Sequence, residues 1–245
     1  MSEEFWWRHC GFFYNSARRC HLVQNVHRAF FRHVDSLGLP PGIKAFDAGC
    51  GSGSSTFPLA HRGLDVLAVD FGESVLRQAI KENESRHHCT NLRFELMDLS
   101  RPLPLPDSSV DLVTSLHCIM KIPNVDDTLA EFFRILKPGG HAVISTTPDN
   151  YTIVQWLKRY AAGRGWLRTA WDIRWLAAWA VPYFVFTRRS ERRGEHRWDE
   201  NHFARHLEKA GFVTRVIERV PYINVGCVVG VFSKPGGKGD RLAVG

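Results

Sequence analysis

Apolar residues along this chain recur with two periods, and the places where the period changes mark out its elements. Leu22, Val26, Phe30 and Val34 stand at helical spacing, and Gly38 with Pro40 and Pro41 ends that helix. From Ile43 onward, short apolar runs alternate with helical patterns. Strand one is read from Ile43 to Asp47, a helix from Ser54 to Arg62, and a buried strand, L-D-V-L-A-V-D, ends in Asp70. A helix begins at Ser74 and runs to about Glu84. L-R-F-E-L-M-D is a third strand ending at Asp98, and V-D-L-V-T-S-L, entered through L-P-L-P-D-S-S, is a fourth. Asn124 and Asp127 open a helix whose apolar side is Leu129, Phe132, Phe133 and Leu136; K-P-G-G closes it and H-A-V-I-S-T is strand five. Alternating strands and helices with short loops predict an α/β fold whose parallel sheet is covered on both faces.

The rhythm breaks between Pro148 and Trp198 and then resumes. Asp199 to Ala210 reads as a helix ended by Gly211, and F-V-T-R-V-I-E-R-V and V-G-C-V-V-G-V-F read as two closing strands joined through Pro221 to Asn224. The ending K-P-G-G-K-G-D-R-L-A-V-G has the composition of a frayed tail. One domain over 1–245 is expected, with a helical cap (1–42), a core (43–147), an insert (148–198) and a segment that completes the core (199–245).

Composition narrows the class. With 245 residues and 44% hydrophobic content the chain can bury a substantial core. Its six cysteines form no C-x-x-C pair, which reads as a reduced, cytoplasmic protein without a zinc site. The start M-S-E-E-F-W-W lacks the basic and apolar regions of a leader, and no apolar run reaches about 18 residues. The net charge of +7 is local: between Lys158 and Arg197 ten basic residues face three acidic ones, and the rest of the chain balances.

Candidate chemistry begins at I-K-A-F-D-A-G-C-G-S-G, residues 43–53. Gly49, Gly51 and Gly53 allow positive φ and close approach of a ligand to the backbone. Asp47 ahead of them argues against a phosphate cradle, which collects N–H groups and lysine. At this stretch the chain resembles the class I S-adenosylmethionine-dependent methyltransferases, whose first motif reads D/E-x-G-x-G-x-G after the first strand. R-I-L-K-P-G-G is similar to that family's turn before strand five. The resemblance covers about 43–147 and 199–234. It implies a Rossmann-like, seven-stranded, mostly parallel sheet with an antiparallel C-terminal strand pair, and a helical lid formed by the insert.

It also implies a cofactor, S-adenosyl-L-methionine, leaving as S-adenosyl-L-homocysteine, and a set of site residues. Asp47 and the backbone at Gly49 and Gly51 would face the methionine portion, with Gly53 completing the motif. Asp70 would take both ribose hydroxyls and Phe71 the adenine face. Asp98, followed by Leu99, would accept from the adenine N6 amine, and strand four would end beside the sulfonium at Leu116 and His117. Three acids after three successive strands, one backed by glycines, are hard to obtain from helix capping alone. A nicotinamide dehydrogenase is the nearest competitor, but its G-x-G-x-x-G register fails here, with Ser54 or Thr56 at the third glycine.

Methyl transfer from a sulfonium is an in-line displacement, so orienting the reactants can supply roughly 7 to 11 kcal/mol and a base is optional. His117 and His196 are the catalytic candidates. Where many relatives carry a His-His pair after strand four, this chain has Met120 and Lys121. His87-His88-Cys89 lacks metal-ligand spacing, and no metal is expected.

The insert interleaves arginines with Trp166, Trp171, Trp175 and Trp179. Three readings follow, in order: a small-molecule acceptor that is apolar and anionic, a transient contact with a membrane surface through 158–197, or RNA. DNA is not expected. The favoured function is methylation of an O, N or C atom of a bulky, largely apolar metabolite in small-molecule biosynthesis. The alternatives are a non-catalytic S-adenosylmethionine sensor and an RNA methyltransferase.

Overall fold

The computed structural model describes residues 21–147, 198–220 and 227–236, together with the single positions 165, 167 and 171. Its elements are α1 (His21–Ser36), β1 (Lys44–Ala48), α2 (Thr56–His61), β2 (Asp65–Asp70), α3 (Glu73–Glu82), β3 (Leu92–Leu96), β4 (Val110–Ser115), α4 (Val125–Ile135), β5 (Leu136–Thr146), α5 (Glu200–Lys209), β6 (Val213–Val220) and β7 (Cys227–Ser233). The seven strands form one sheet in the order β3-β2-β1-β4-β5-β7-β6. β1 to β5 pair in parallel, and β7 runs antiparallel to both β5 and β6.

Period-two alternation along the central strands divides the core between two faces. Phe46, Leu67, Val69, Val113, Ile144 and Phe232 pack with Leu129 and Phe132 of α4 and Phe203 and Leu207 of α5. Ala45, Val66, Ala68, Leu112 and Val143 pack with Val26, Phe30 and Val34 of α1 and Phe57 and Leu59 of α2. The expected α/β sheet with helices on both faces is therefore present, and α1 is a packed element of it.

Three local readings differ from the sequence pattern. α4 passes directly into β5, and Lys137 to Gly140 form an irregular turn within the start of that strand, looped out of the pairing with β4, with Gly139 at φ 79°. The reason is pairing with the far end of the chain: Gly139 N–H donates to the Lys234 carbonyl (2.8 Å) and Lys234 N–H to that of Gly140 (2.9 Å). The third strand stops at Leu96, two residues short of Asp98. α3 ends at Glu82 in a wide π turn over Asn83–His87, closed by His88 at φ 53°. There the Asn83 side chain bonds both backbone groups of Cys89, and the His87 ring stacks on Phe57 at 4.0 Å. The His87-His88-Cys89 run is thus packing. No group of acidic, histidine and cysteine residues able to hold a metal ion occurs among the described residues.

The chain turns to opposite sides of the sheet after β1 and after β4, so their carboxyl ends form the reversal point of the sheet. Ligands of open α/β sheets bind at such a reversal point.

Candidate cofactor site

The loop leaving β1 is held by its neighbours in a way that gives each glycine its own task. Gly49 and Cys50 N–H both donate to the Val69 carbonyl at 2.9 Å, which pins the loop to the end of β2. Gly49 has φ 73°, and a Cβ built there would lie 2.1 Å from Cys118 Sγ, so this glycine lets the β4 side of the reversal point close onto the β1 side. Gly51, at φ 54°, has nothing within 4 Å of an added Cβ: its backbone borders open space, as close approach of a ligand requires. Gly53 instead makes room for the Phe57 ring, a packing role.

Asp47 is engaged by side chains of its own loop and of β4. It is fully buried in β1, and its oxygens accept from Ser55 Oγ (2.9 Å), Thr56 Oγ1 (2.7 Å) and Thr114 Oγ1 (2.9 Å). Burial raises its pKa, and the three hydroxyls pull the other way. This carboxylate ties the glycine loop, the start of α2 and β4 together. The physical signal was the S-S-T run directly after the glycines, a set of hydroxyls that needs an acceptor.

Asp70 sits at the tip of β2 and holds the two turns beside it. Oδ2 accepts from Gly51 N–H (2.9 Å) and Oδ1 from Gly72 N–H (2.8 Å). The Phe71 N–H is a third donor to this carboxylate, which offers about four lone-pair sites, so it keeps acceptor capacity for a ligand hydroxyl. Burial pushes the Asp70 pKa up, against the N–H groups of Gly72 and Gly51. Next to it the Phe71 ring is 55% exposed, and Leu96, paired with Asp70 across the sheet, is 59% exposed. Two such apolar groups at a strand tip suit the flat face of a base.

Asp98 lies further along this edge. It accepts from Ser100 N–H (3.0 Å) and Oγ (2.7 Å); burial pushes its pKa up, but Ser100 and Arg101 outweigh that and hold it below the ordinary value. A half-exposed, ionised acceptor suits an exocyclic amine. The Leu99 side chain is in the core and its carbonyl accepts from Thr128 Oγ1 at 2.8 Å. Leu116 is also buried. Both would meet a ligand through backbone or as wall.

After β4 the chain turns at His117, φ 57°, whose N–H donates to Ser145 Oγ at 2.8 Å. Burial, with the nearby His27 and Lys121, depresses the His117 pKa to about 3, so the ring is neutral but a weak proton acceptor. His196 lies outside the described residues. Sequence reasoning missed Cys118, whose thiol covers Gly49; burial pushes its pKa up to about 12. Nothing local in the sequence signals that contact, since it joins two loops about seventy residues apart.

The fold is that of an open α/β sheet with acceptors, bare backbone and exposed apolar side chains gathered at its reversal point. Residues 46–144 match the family model of the methyltransferase domain. A demethylmenaquinone methyltransferase of Renibacterium salmoninarum is 33% identical over 112 residues, 46% of this chain and 44% of that protein. A ubiquinone biosynthesis O-methyltransferase of Psychrobacter cryohalolentis is 28% identical over 154 residues, 59% of this chain and 60% of its own length. The chain thus spans about half the length of these relatives. The crystal structure of a SAM-dependent methyltransferase from Aquifex aeolicus superposes with a TM-score of 0.57 at 17% identity, covering 82% of this chain and 88% of that one.

Proposed function

We propose that the protein transfers a methyl group from S-adenosyl-L-methionine to an O, N or C atom of a bulky, largely apolar small molecule. The observation that carries this reading is the row of groups at the strand tips: open backbone at Gly51, the Asp70 carboxylate with acceptor capacity remaining, the exposed Phe71 ring and the ionised Asp98. Their order matches a molecule with an amino-acid end, a ribose diol and adenine.

The bound cofactor would supply an electrophilic methyl on a sulfonium, with a neutral thioether as leaving group. The chain's own part is positional. Asp70 and Asp98 would fix the nucleoside, and the Gly49–Cys118 contact would set the floor of the site at its reacting end. Holding donor and acceptor in line can lower the barrier by roughly 7 to 11 kcal/mol without covalent chemistry. His117 would lie beside that end, and its depressed pKa favours acceptors that need little help losing a proton.

Relatives named for demethylmenaquinone and ubiquinone biosynthesis make an apolar, ring-containing acceptor the first class to test. The arginine- and tryptophan-rich segment 158–197 is proposed as the part that meets this acceptor, taking it up at a membrane surface where needed. The division into cap, core, insert and completing segment is carried forward with it. No helix among the described residues is long and apolar enough to cross a membrane, and a cytoplasmic location is part of the proposal. Calorimetric titration with S-adenosyl-L-homocysteine should give saturable binding, and incubation with methyl-labelled cofactor and quinol precursors should give a labelled product. Absence of binding would refute the cofactor site; binding with no labelled product from any small-molecule extract would favour the sensor.

A further inference from the structure

The turn after β4 is held by a closed set of three residues. His117 takes a left-handed conformation, φ 57°, which a side chain with a Cβ adopts only where its surroundings fix it. Its N–H donates to Ser145 Oγ at 2.8 Å, and its ring reaches past β5 to the start of β7, where Nδ1 lies 4.0 Å from Cys227 Sγ. Ser145 and Cys227 belong to the same face of the sheet: Ser145 pairs with Val229, and Cys227 stands two residues before that valine. The Ser145 hydroxyl is accordingly a hydrogen-bond partner of the Cys227 thiol. Both residues are fully buried, and Cys227 packs in the part of the core that α1 covers.

The chemistry of the three groups places their protons. Burial pushes the Cys227 thiol far above its ordinary pKa, so it keeps its proton; burial also keeps the His117 ring neutral, with one N–H for two nitrogens. Were that proton on Nδ1, the thiol sulfur, a weak acceptor, would have to receive both the ring and the Ser145 hydroxyl, and its S–H would turn to the Val228 carbonyl 3.7 Å away. That carbonyl belongs to the middle strand of β5-β7-β6, where the ladder takes such groups. With the proton on Nε2 every group is used once: His117 N–H to Ser145 Oγ, Ser145 O–H to Cys227 Sγ, and Cys227 S–H to His117 Nδ1. A bare imidazole nitrogen is also the better acceptor. We infer that Cys227 is a positioning residue: its S–H, held by Ser145, donates to His117 Nδ1 and keeps the ring in the Nε2–H tautomer, so that His117 can serve methyl transfer as a hydrogen-bond donor and not as its base. This rests on the methyl-transfer reading. A proton leaving the acceptor then passes to another group or to water, and an acceptor that arrives as an oxyanion needs no such step.

The test reads the ring directly. The full chain is made with isotope-labelled histidine, long-range proton–nitrogen NMR spectra are recorded for the wild type, Cys227→Ala and Cys227→Ser, and His117→Gln identifies the signals. In the wild type Nδ1 should appear as the bare nitrogen and Nε2 as the protonated one, with and without bound S-adenosyl-L-homocysteine. In Cys227→Ala the Nδ1–H form should become populated and move the two nitrogen signals toward each other. Cys227→Ser, which keeps a hydroxyl donor at that place, should restore the wild-type pattern. A role in packing alone would not follow the donor in this way. A wild-type ring protonated on Nδ1, free or loaded, returns His117 to the candidate bases and overturns the inference, and that spectrum does not depend on any variant folding. Signals unchanged in Cys227→Ala, or Cys227→Ser behaving as Cys227→Ala, remove Cys227 as the residue that sets the tautomer and also overturn it. Calorimetry with S-adenosyl-L-homocysteine keeps the two failures apart: a wild type that binds none defeats the methyl-transfer reading, while the spectra of the free protein still decide the tautomer.

Discussion

Asp47 and Asp70 end neighbouring strands, yet their surroundings give them different work. Asp47 serves three buried hydroxyls, so Asp47→Ala strands Ser55, Thr56 and Thr114 and should lower stability by about 1 to 3 kcal/mol in urea unfolding. Asp47→Asn should cost less, since hydroxyl rotors can adapt to an amide. Asp70→Ala should instead weaken S-adenosyl-L-homocysteine binding by about 1 to 3 kcal/mol in calorimetry; an unchanged affinity would remove it from the site. Its pH dependence has a definite sign. Burial raises the Asp70 pKa above 3.8, and ribose hydroxyls donate best to the ionised form, so affinity falls as pH drops through that raised value. Asp70→Asn should flatten this dependence. For folding the sign is the reverse: the cost of the ionised buried carboxylate is present in full above the raised folded pKa and is gone below the ordinary 3.8. Gly49→Ala tests the loop contact, because the new Cβ would meet Cys118 Sγ at 2.1 Å and Cβ at 2.5 Å. It should cost about 1 to 3 kcal/mol through overpacking, beyond the strain of positive φ. Cys118→Gly in that background removes both clashing atoms and should recover the packing part, read as coupling in a double-mutant cycle.

At the scale of elements, the central strands were legible because each alternates between two buried faces, and α1, α4 and α5 because their apolar residues recur at helical spacing. What escaped was decided by contacts distant in sequence. Lys234 holds the turn at Lys137 to Gly140, with its ammonium donating to the Phe133 and Leu136 carbonyls at 2.8 and 2.7 Å. The three acids of the motif pattern were legible by position, but the donors that fold against each were not: hydroxyls at Asp47, backbone N–H groups at Asp70 and Ser100 at Asp98. The spacing between α5 and the sheet is likewise a matter of packing that no pattern shows. Gly230 of β7 lies where an added Cβ would meet Phe232 at 2.4 Å and Phe203 of α5 at 2.9 Å. Gly230→Ala should therefore push α5 off the sheet and lower the thermal midpoint, by about 1 to 3 kcal/mol at that temperature. If the variant melts like the wild type, that helix does not rest on this strand as described.

Over the whole molecule, charge is divided by task. The carboxylates Asp70 and Asp98 stand at the strand tips, whereas the excess of positive charge lies between Lys158 and Arg197. A cofactor site made from the tips needs none of those arginines, and a segment that meets an anionic, apolar acceptor needs several. Replacing Arg188, Arg189, Arg192 and Arg193 together by Gln should thus leave S-adenosyl-L-homocysteine affinity within about twofold, while raising the acceptor KM by about tenfold, the loss of one or two charge-assisted contacts. The KM difference should shrink between low and physiological salt, because exposed charges are screened beyond about 8 Å at 0.15 M. The opposite outcome, a collapse of S-adenosyl-L-homocysteine binding in the four-arginine variant with the acceptor KM little changed, would mean that this segment shapes the cofactor site and that the acceptor is recognised by the core alone.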